Sequence, residues 1–256
     1  MFAKFMSLVA LFLLLSCGEP VPRGGEAKIL LLGDSMMASN RVTGQSVAAV
    51  IEAGLGRDVV DRSVPGARYF YALPISGSAG LNIPKQYRPG PWDYVVLNGG
   101  GNDLLFGCGC GRCDGVINRL ISPDGRSGAI PAMVKTLVSD GARVIYTGYL
   151  RNPGVQTLIK SCGPAGNELD RRMQRLAALE PGMQYVLLAD LVPYKDRSYH
   201  QVDLIHPSAK GSQAIGQRIV ALIAAPKKGQ PLAPADQKPQ KTGYDRHSKT
   251  PRPANP

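Results

Sequence analysis

Lys28-Ile29-Leu30-Leu31-Leu32-Gly33-Asp34-Ser35 is the stretch on which the reading of this chain turns. Its first half is an unbroken apolar run with no polar alternation. Such a run, closed by a turn residue, suits a strand covered on both faces. A serine directly behind such a strand stands at its carboxyl end, on a turn where backbone N–H groups can face its hydroxyl.

Working outward, the same grammar recurs. Residues 58–64, 94–97, 143–150 and 185–191 read as four further strands. Between them, residues 47–55, 129–138, 168–179 and 208–224 carry apolar side chains at helical spacing. Gly54 and Gly56 close the first of these helices, Gly141 follows the second, Pro181-Gly182 ends the third, and Ser208 caps the fourth. Strands alternating with helices imply βαβ units and a parallel sheet. Right-handed crossovers then lead to a three-layer α/β/α sandwich with five parallel strands. Ligands in such sheets bind beyond the carboxyl ends of the strands. Ser35, Gly66, Asn102 and His206 all fall there.

The ends of the chain differ from this domain, which is placed at 28–225. Lys4 precedes an apolar run over residues 5–15, shorter than the about twenty residues of a membrane span. The run ends in Leu14-Leu15-Ser16-Cys17, which resembles a bacterial lipobox. That resemblance implies a signal peptide over 1–17, lipid on Cys17, export to the cell envelope and a membrane-anchored protein facing the periplasm. Residues 18–27 read as a tether. Residues 226–256 are rich in Pro and Lys and poor in large apolar groups, and read as a disordered tail. The formal net charge is +11, and about half of that excess lies in this tail. No basic stretch is interleaved with aromatics, which argues against nucleic acid as partner. A monomer is expected.

A serine hydroxyl needs a base before it attacks. The chain has His200, His206 and His247, of which the last lies in the tail. His206 sits in Asp203-Leu204-Ile205-His206, where an acid three residues ahead can reach its ring and stabilise the imidazolium. His200 lacks an acid at that spacing. Asn102, in Gly100-Gly101-Asn102-Asp103, offers an amide to a developing oxyanion, and Gly66 an unobstructed N–H. Asp34 and Asp103 are read as braces for their turns. Each motif alone is a commonplace turn or cap, and their order along the chain gives them weight.

Together these blocks resemble the SGNH/GDSL hydrolases. Gly33-Asp34-Ser35 is similar to that family's first block, Gly66 to the second, Gly100-Gly101-Asn102-Asp103 to the third, and Asp203-Leu204-Ile205-His206 to the fourth. Met36-Met37 stands where many members are more polar. The resemblance implies a flavodoxin-like sandwich and metal-free, cofactor-free ester hydrolysis. It also implies a catalytic set of Ser35, Asp203 and His206, and an oxyanion hole from Ser35, Gly66 and Asn102. The substrate would be a small-molecule, glycan or lipid ester. A non-catalytic sugar- or lipid-binding module on the same fold is the competing reading, and a tethered scaffold working through its basic tail is a third.

Four cysteines follow Cys17: Cys108, Cys110, Cys113 and Cys162. In an exported chain an even number reads as two disulfides of undetermined connectivity. A four-cysteine zinc site is the alternative, against which the tight Cys-Gly-Cys spacing speaks. Removing residues 226–256 is expected to leave the melting temperature nearly unchanged, because the tail has little apolar surface to bury. A marked fall on thermal denaturation would show that the tail packs on the domain.

Overall fold

The computed structural model describes residues 28–225 apart from 72 and 74. The expected signal peptide, Cys17, the tether and the tail lie outside the described residues. Five strands form one parallel sheet: β1 (Ile29–Leu32), β2 (Val59–Asp61), β3 (Tyr94–Leu97), β4 (Arg143–Thr147) and β5 (Met183–Val186). Their order is β2-β1-β3-β4-β5. The most apolar strand is central: Ile29 pairs with Val59 on one side and Tyr94 on the other.

Each β1 side chain is fully buried, for a simple reason. Successive residues point to opposite faces of the sheet, and both faces are covered. Leu30 and Leu32 enter one core with Val95, Leu97 and Ile130. Ile29 and Leu31 enter the other with Val96, Ile51, Ile215 and Ile219. Full burial of each such side chain contributes about 1.5–3 kcal/mol.

The helices are α1 (Ser35–Ala38), α2 (Val47–Leu55), α3 (Ile83–Gln86), α4 (Gly101–Cys108), α5 (Asp114–Leu120), α6 (Ala129–Ser139), α7 (Gly163–Leu179) and α8 (Ala209–Ala224). α2 and α8 cover one face, while α5, α6 and α7 cover the other. α2 starts at Ser46, whose side chain accepts from the Ala49 N–H, and stops at Gly56 in the left-handed region. Ser208 caps α8 by accepting from the Gly211 N–H at 3.2 Å. The layers, the sheet and the four long helices agree with the sequence reading. Among the described residues no helix is long and apolar enough to cross a membrane.

Several boundaries differ from expectation: β2 ends at Asp61, three residues before the expected end, and β5 begins at Met183, two residues early. β5 ends at Val186, and the following Leu188 is buried in a loop. Hydrophobicity there reports burial, not strand pairing. β4 ends at Thr147, three residues before the apolar run does. α7 begins at Gly163, five residues early, with proline in its first turn. The segment after the Gly99-Gly100 pair, to which the sequence reading assigned no helix or strand, is the helix α4.

Candidate active site

The site is built from the β1–α1 turn. Gly33 has φ +143°, and a Cβ placed on it would stand 1.8 Å from Asn98 Oδ1. Only glycine lets the chain pass so close. Asn98, at the end of β3, accepts from the Asp34 N–H at 3.0 Å and donates to the Asp34 carboxylate at 3.0 Å. Gln86 accepts from the Gly33 N–H and donates to the Gly33 carbonyl, both at 2.8 Å. The Tyr149 hydroxyl donates to Asp34 at 2.6 Å and accepts from the Gly101 N–H at 2.9 Å. Ser35 is thereby presented at the first position of α1.

Asp34 is buried, and burial pushes its carboxyl up from the ordinary value. Donors from Tyr149, Asn98 and the Met36 N–H act in the opposite direction. It braces the turn, as the sequence suggested. Met36 and Met37 are buried in the core beneath α1.

His206 lies between Ser35 and Asp203. Its Nε2 is 2.9 Å from Ser35 Oγ, and its Nδ1 is 2.5 Å from an Asp203 carboxylate oxygen. The other Asp203 oxygen accepts from the N–H groups of Ile205 and His206, each at 3.0 Å. That tight loop places Leu204 at φ 56°, a conformation few branched residues adopt. Partial burial opposes ionisation of Asp203, but hydrogen bonds from the His206 ring and the two N–H groups outweigh it. Its carboxyl stays below the usual range. His200, the rival base, is buried elsewhere in this segment. Neither ring nitrogen has a hydrogen-bond partner among the described residues, and burial pushes its pKa down.

Gly66 and Asn102 line the same cleft as Ser35 and His206. Gly66 sits in a turn at φ +79°. Asn102 is in the first turn of α4, not in a loop. It donates one amide hydrogen to the Ala67 carbonyl at 3.1 Å, which leaves the second free to donate. Asp103 next to it accepts from the N–H groups of Tyr69 and Phe70. The Gly66 loop and the start of α4 are thus held to one another. Ser35 opens α1, so its own N–H has no acceptor within the helix. The cleft holds about 1090 Å³ and is walled by apolar side chains such as Leu104, Leu105, Leu150 and Leu169.

Cys108 pairs with Cys113, and Cys110 with Cys162. All four thiols are used, and none remains to ligate a metal. Cys108 closes α4, Cys162 immediately precedes α7, and the second bridge ties two walls of the cleft. The residues missed from sequence are Gln86, Asn98 and Tyr149. Only Asn98 left a signal, as a polar residue ending a buried run.

The fold is the five-stranded α/β/α sandwich of the SGNH hydrolases. The chain belongs to the GDSL-like lipase/acylhydrolase family, whose model matches residues 31–214. No curated protein matches the sequence significantly. Among solved structures, a protein from Streptococcus pneumoniae is 16% identical with a TM-score of 0.55, over 86% of this chain and 99% of that one. The lipase/acylhydrolase of Enterococcus faecalis is 22% identical with a TM-score of 0.53, over 77% and 95%. A carbohydrate esterase of Corynascus thermopiles carrying a carbohydrate-binding domain is 17% identical with a TM-score of 0.52, over 80% and 68%. At these identities the likeness is one of fold.

Loss of the Cys110–Cys162 bridge is expected to cost about 4 kcal/mol, and loss of Cys108–Cys113 about 2 kcal/mol, because the first closes the longer loop. Denaturant unfolding of the paired Cys→Ser variants checks the order. Thiol counting on the oxidised protein, expected to find none of the four free, checks the pairing.

Proposed function

We propose that this protein hydrolyses acyl esters through Ser35, His206 and Asp203. The observation that carries the reading is the continuous line from Ser35 Oγ through both ring nitrogens of His206 to Asp203. His206 Nε2 takes the Ser35 proton as Oγ attacks the ester carbonyl, while Asp203 holds the ring and stabilises the imidazolium. The tetrahedral oxyanion is met by the N–H groups of Ser35 and Gly66 and by the Asn102 amide. His206 returns the proton to the leaving alcohol. Water then attacks the acyl-enzyme by the same route in reverse. No metal or cofactor enters these steps. The apolar walls of the cleft suit the acyl part of the substrate.

We read the protein as an exported, lipid-anchored one on the strength of Leu14-Leu15-Ser16-Cys17. Metabolic labelling with a fatty acid, compared with Cys17→Ser, tests that placement.

Ser35→Ala is expected to lower ester hydrolysis by several orders of magnitude with the fold intact, the usual cost of losing a nucleophile. Retention of about a tenth of the activity or more on p-nitrophenyl esters would remove Ser35 from its role. A serine-directed phosphonate should label the parent and not the variant; a binding module would take no label. Asn102→Ala is expected to lower kcat about a hundredfold or more with KM little changed. A change confined to KM would make Asn102 a substrate-positioning group.

A further inference from the structure

The large apolar side chains left exposed on this domain are gathered on one side. Among the described residues, every one except Leu179 lies on a segment that follows the carboxyl end of a strand. Val42 stands just past α1 and Ile75 in the segment after β2. Phe106 is on α4, Leu158 follows β4, and Tyr194 and Val202 follow β5. Single exposed apolar residues are ordinary, but their confinement to one edge is not.

These segments are fastened into a ring. Arg41 donates to the Ser63 carbonyl at 2.8 Å, joining the first to the second. Asp103 holds the second to α4, and Cys110–Cys162 holds α4 to the segment after β4. The Lys195 N–H donates to the Pro153 carbonyl at 2.8 Å, and Asn40 donates to the Pro207 carbonyl at 3.0 Å, which closes the circle. The apolar tips therefore share one rim, and Phe106 and Leu158 continue from it into the cleft.

The rim is also basic. Residues 39–46, 62–82, 98–113, 148–162 and 187–208 hold eight Lys and Arg against four Asp; Arg41 and Arg151 are paired with Asp61 and Asp170 outside these segments and Asp103 is buried, which leaves six cations against three carboxylates. Arg68 lies over the Tyr71 ring at 4.3 Å and Lys195 over Tyr194 at 5.4 Å. Apolar tips interleaved with aromatics and cations match the chemistry of a bilayer interface, where the tips enter the acyl boundary and the cations meet anionic headgroups. A protein interface would instead gather its apolar groups in a central patch with a polar rim.

We propose that this rim docks on an anionic lipid surface, so that the cleft opens toward the bilayer and takes an amphiphilic ester from it. What enters the cleft rests on the ester-hydrolase reading, whereas the docking does not. The test uses the full chain carrying Ser35→Ala, so that no lipid is consumed, and Cys17→Ser, so that neither an acyl anchor nor a second free thiol competes. A polarity-sensitive dye is attached at Val42→Cys, or at Leu179→Cys on the opposite edge. Vesicles are phosphatidylcholine alone or mixed with phosphatidylglycerol. On the anionic vesicles the dye at position 42 is expected to shift to the blue and to be quenched by nitroxide lipids, with no such change at 179. The effect should be weaker on phosphatidylcholine. No change at 42, or equal change at both sites, overturns the proposal.

In a second arm, with Ser35 intact, Val42→Asp combined with Ile75→Asp is expected to lower hydrolysis of a vesicle-borne phospholipid about tenfold or more and to leave p-nitrophenyl acetate turnover unchanged. Equal loss on both substrates overturns the proposal. A parent that hydrolyses neither substrate, yet shows the shift at position 42, supports the docking and overturns the hydrolase reading.

Discussion

The contact on which the rest depends is the passage of Gly33 across the amide of Asn98. The space a Cβ would need is already occupied by Asn98 Oδ1. That approach lets one side chain at the end of β3 hold both the N–H and the carboxylate of Asp34 at the end of β1. Two adjacent strand ends are thereby fixed with hydrogen bonds buried from water, where their strength is greatest and an unpaired group would cost most. The serine that follows inherits its position from this turn. Any residue larger than glycine at position 33 displaces Asn98, and with it the anchor of Asp34.

The strands themselves are short, three to five residues each. Their ladders alone fix little beyond the sheet. The loops that carry Ser35, Gly66, Asn102 and His206 are therefore held from the side. The Val64 N–H donates to the Gly33 carbonyl at 3.0 Å. Asn102 and Asp103 grip the Gly66 loop, and Tyr149 links β4 to both Asp34 and α4. Each tie joins segments far apart in sequence, so the site forms only when the whole carboxyl edge of the sheet has assembled. Two disulfides stiffen the side that faces α7.

What could be read from sequence follows from this arrangement. The strands were legible because a sheet covered on both faces requires continuous apolar runs. Ser35, Asp203 and His206 were legible because a Gly-Asp-Ser turn and an Asp-x-x-His step are local patterns, and the structure brings the three side chains together. α4 was not legible, because three successive glycines, Gly99-Gly100-Gly101, stand where it begins and glycine disfavours a helix. In fact these glycines make room: a Cβ on Gly99 would stand 2.6 Å from Ile83, and one on Gly101 2.7 Å from the Tyr149 ring. Gln86 and Tyr149 lie 53 and 115 residues from their partners in the turn. No local pattern marks a hydrogen bond of that span. The end of β5 was misplaced because Leu187 and Leu188 continue an apolar run whose pairing has already stopped.

Two carboxylates belong to the motifs that carry Ser35 and His206, and their surroundings differ. Asp203 is partly open to solvent, accepts two backbone N–H groups and touches the imidazole, so that it stays ionised. Asp34 is buried and pushed the other way, and its oxygens are taken up by Asn98, Tyr149 and the Met36 N–H. None of its hydrogen bonds reaches the His206 ring. Asp203 is the one in contact with the imidazole. The other is committed to holding the turn on which the serine stands. Exchanging the two is not possible without unpicking the Gly33–Asn98 contact, because the Asp34 oxygens are taken up within the turn that carries Ser35.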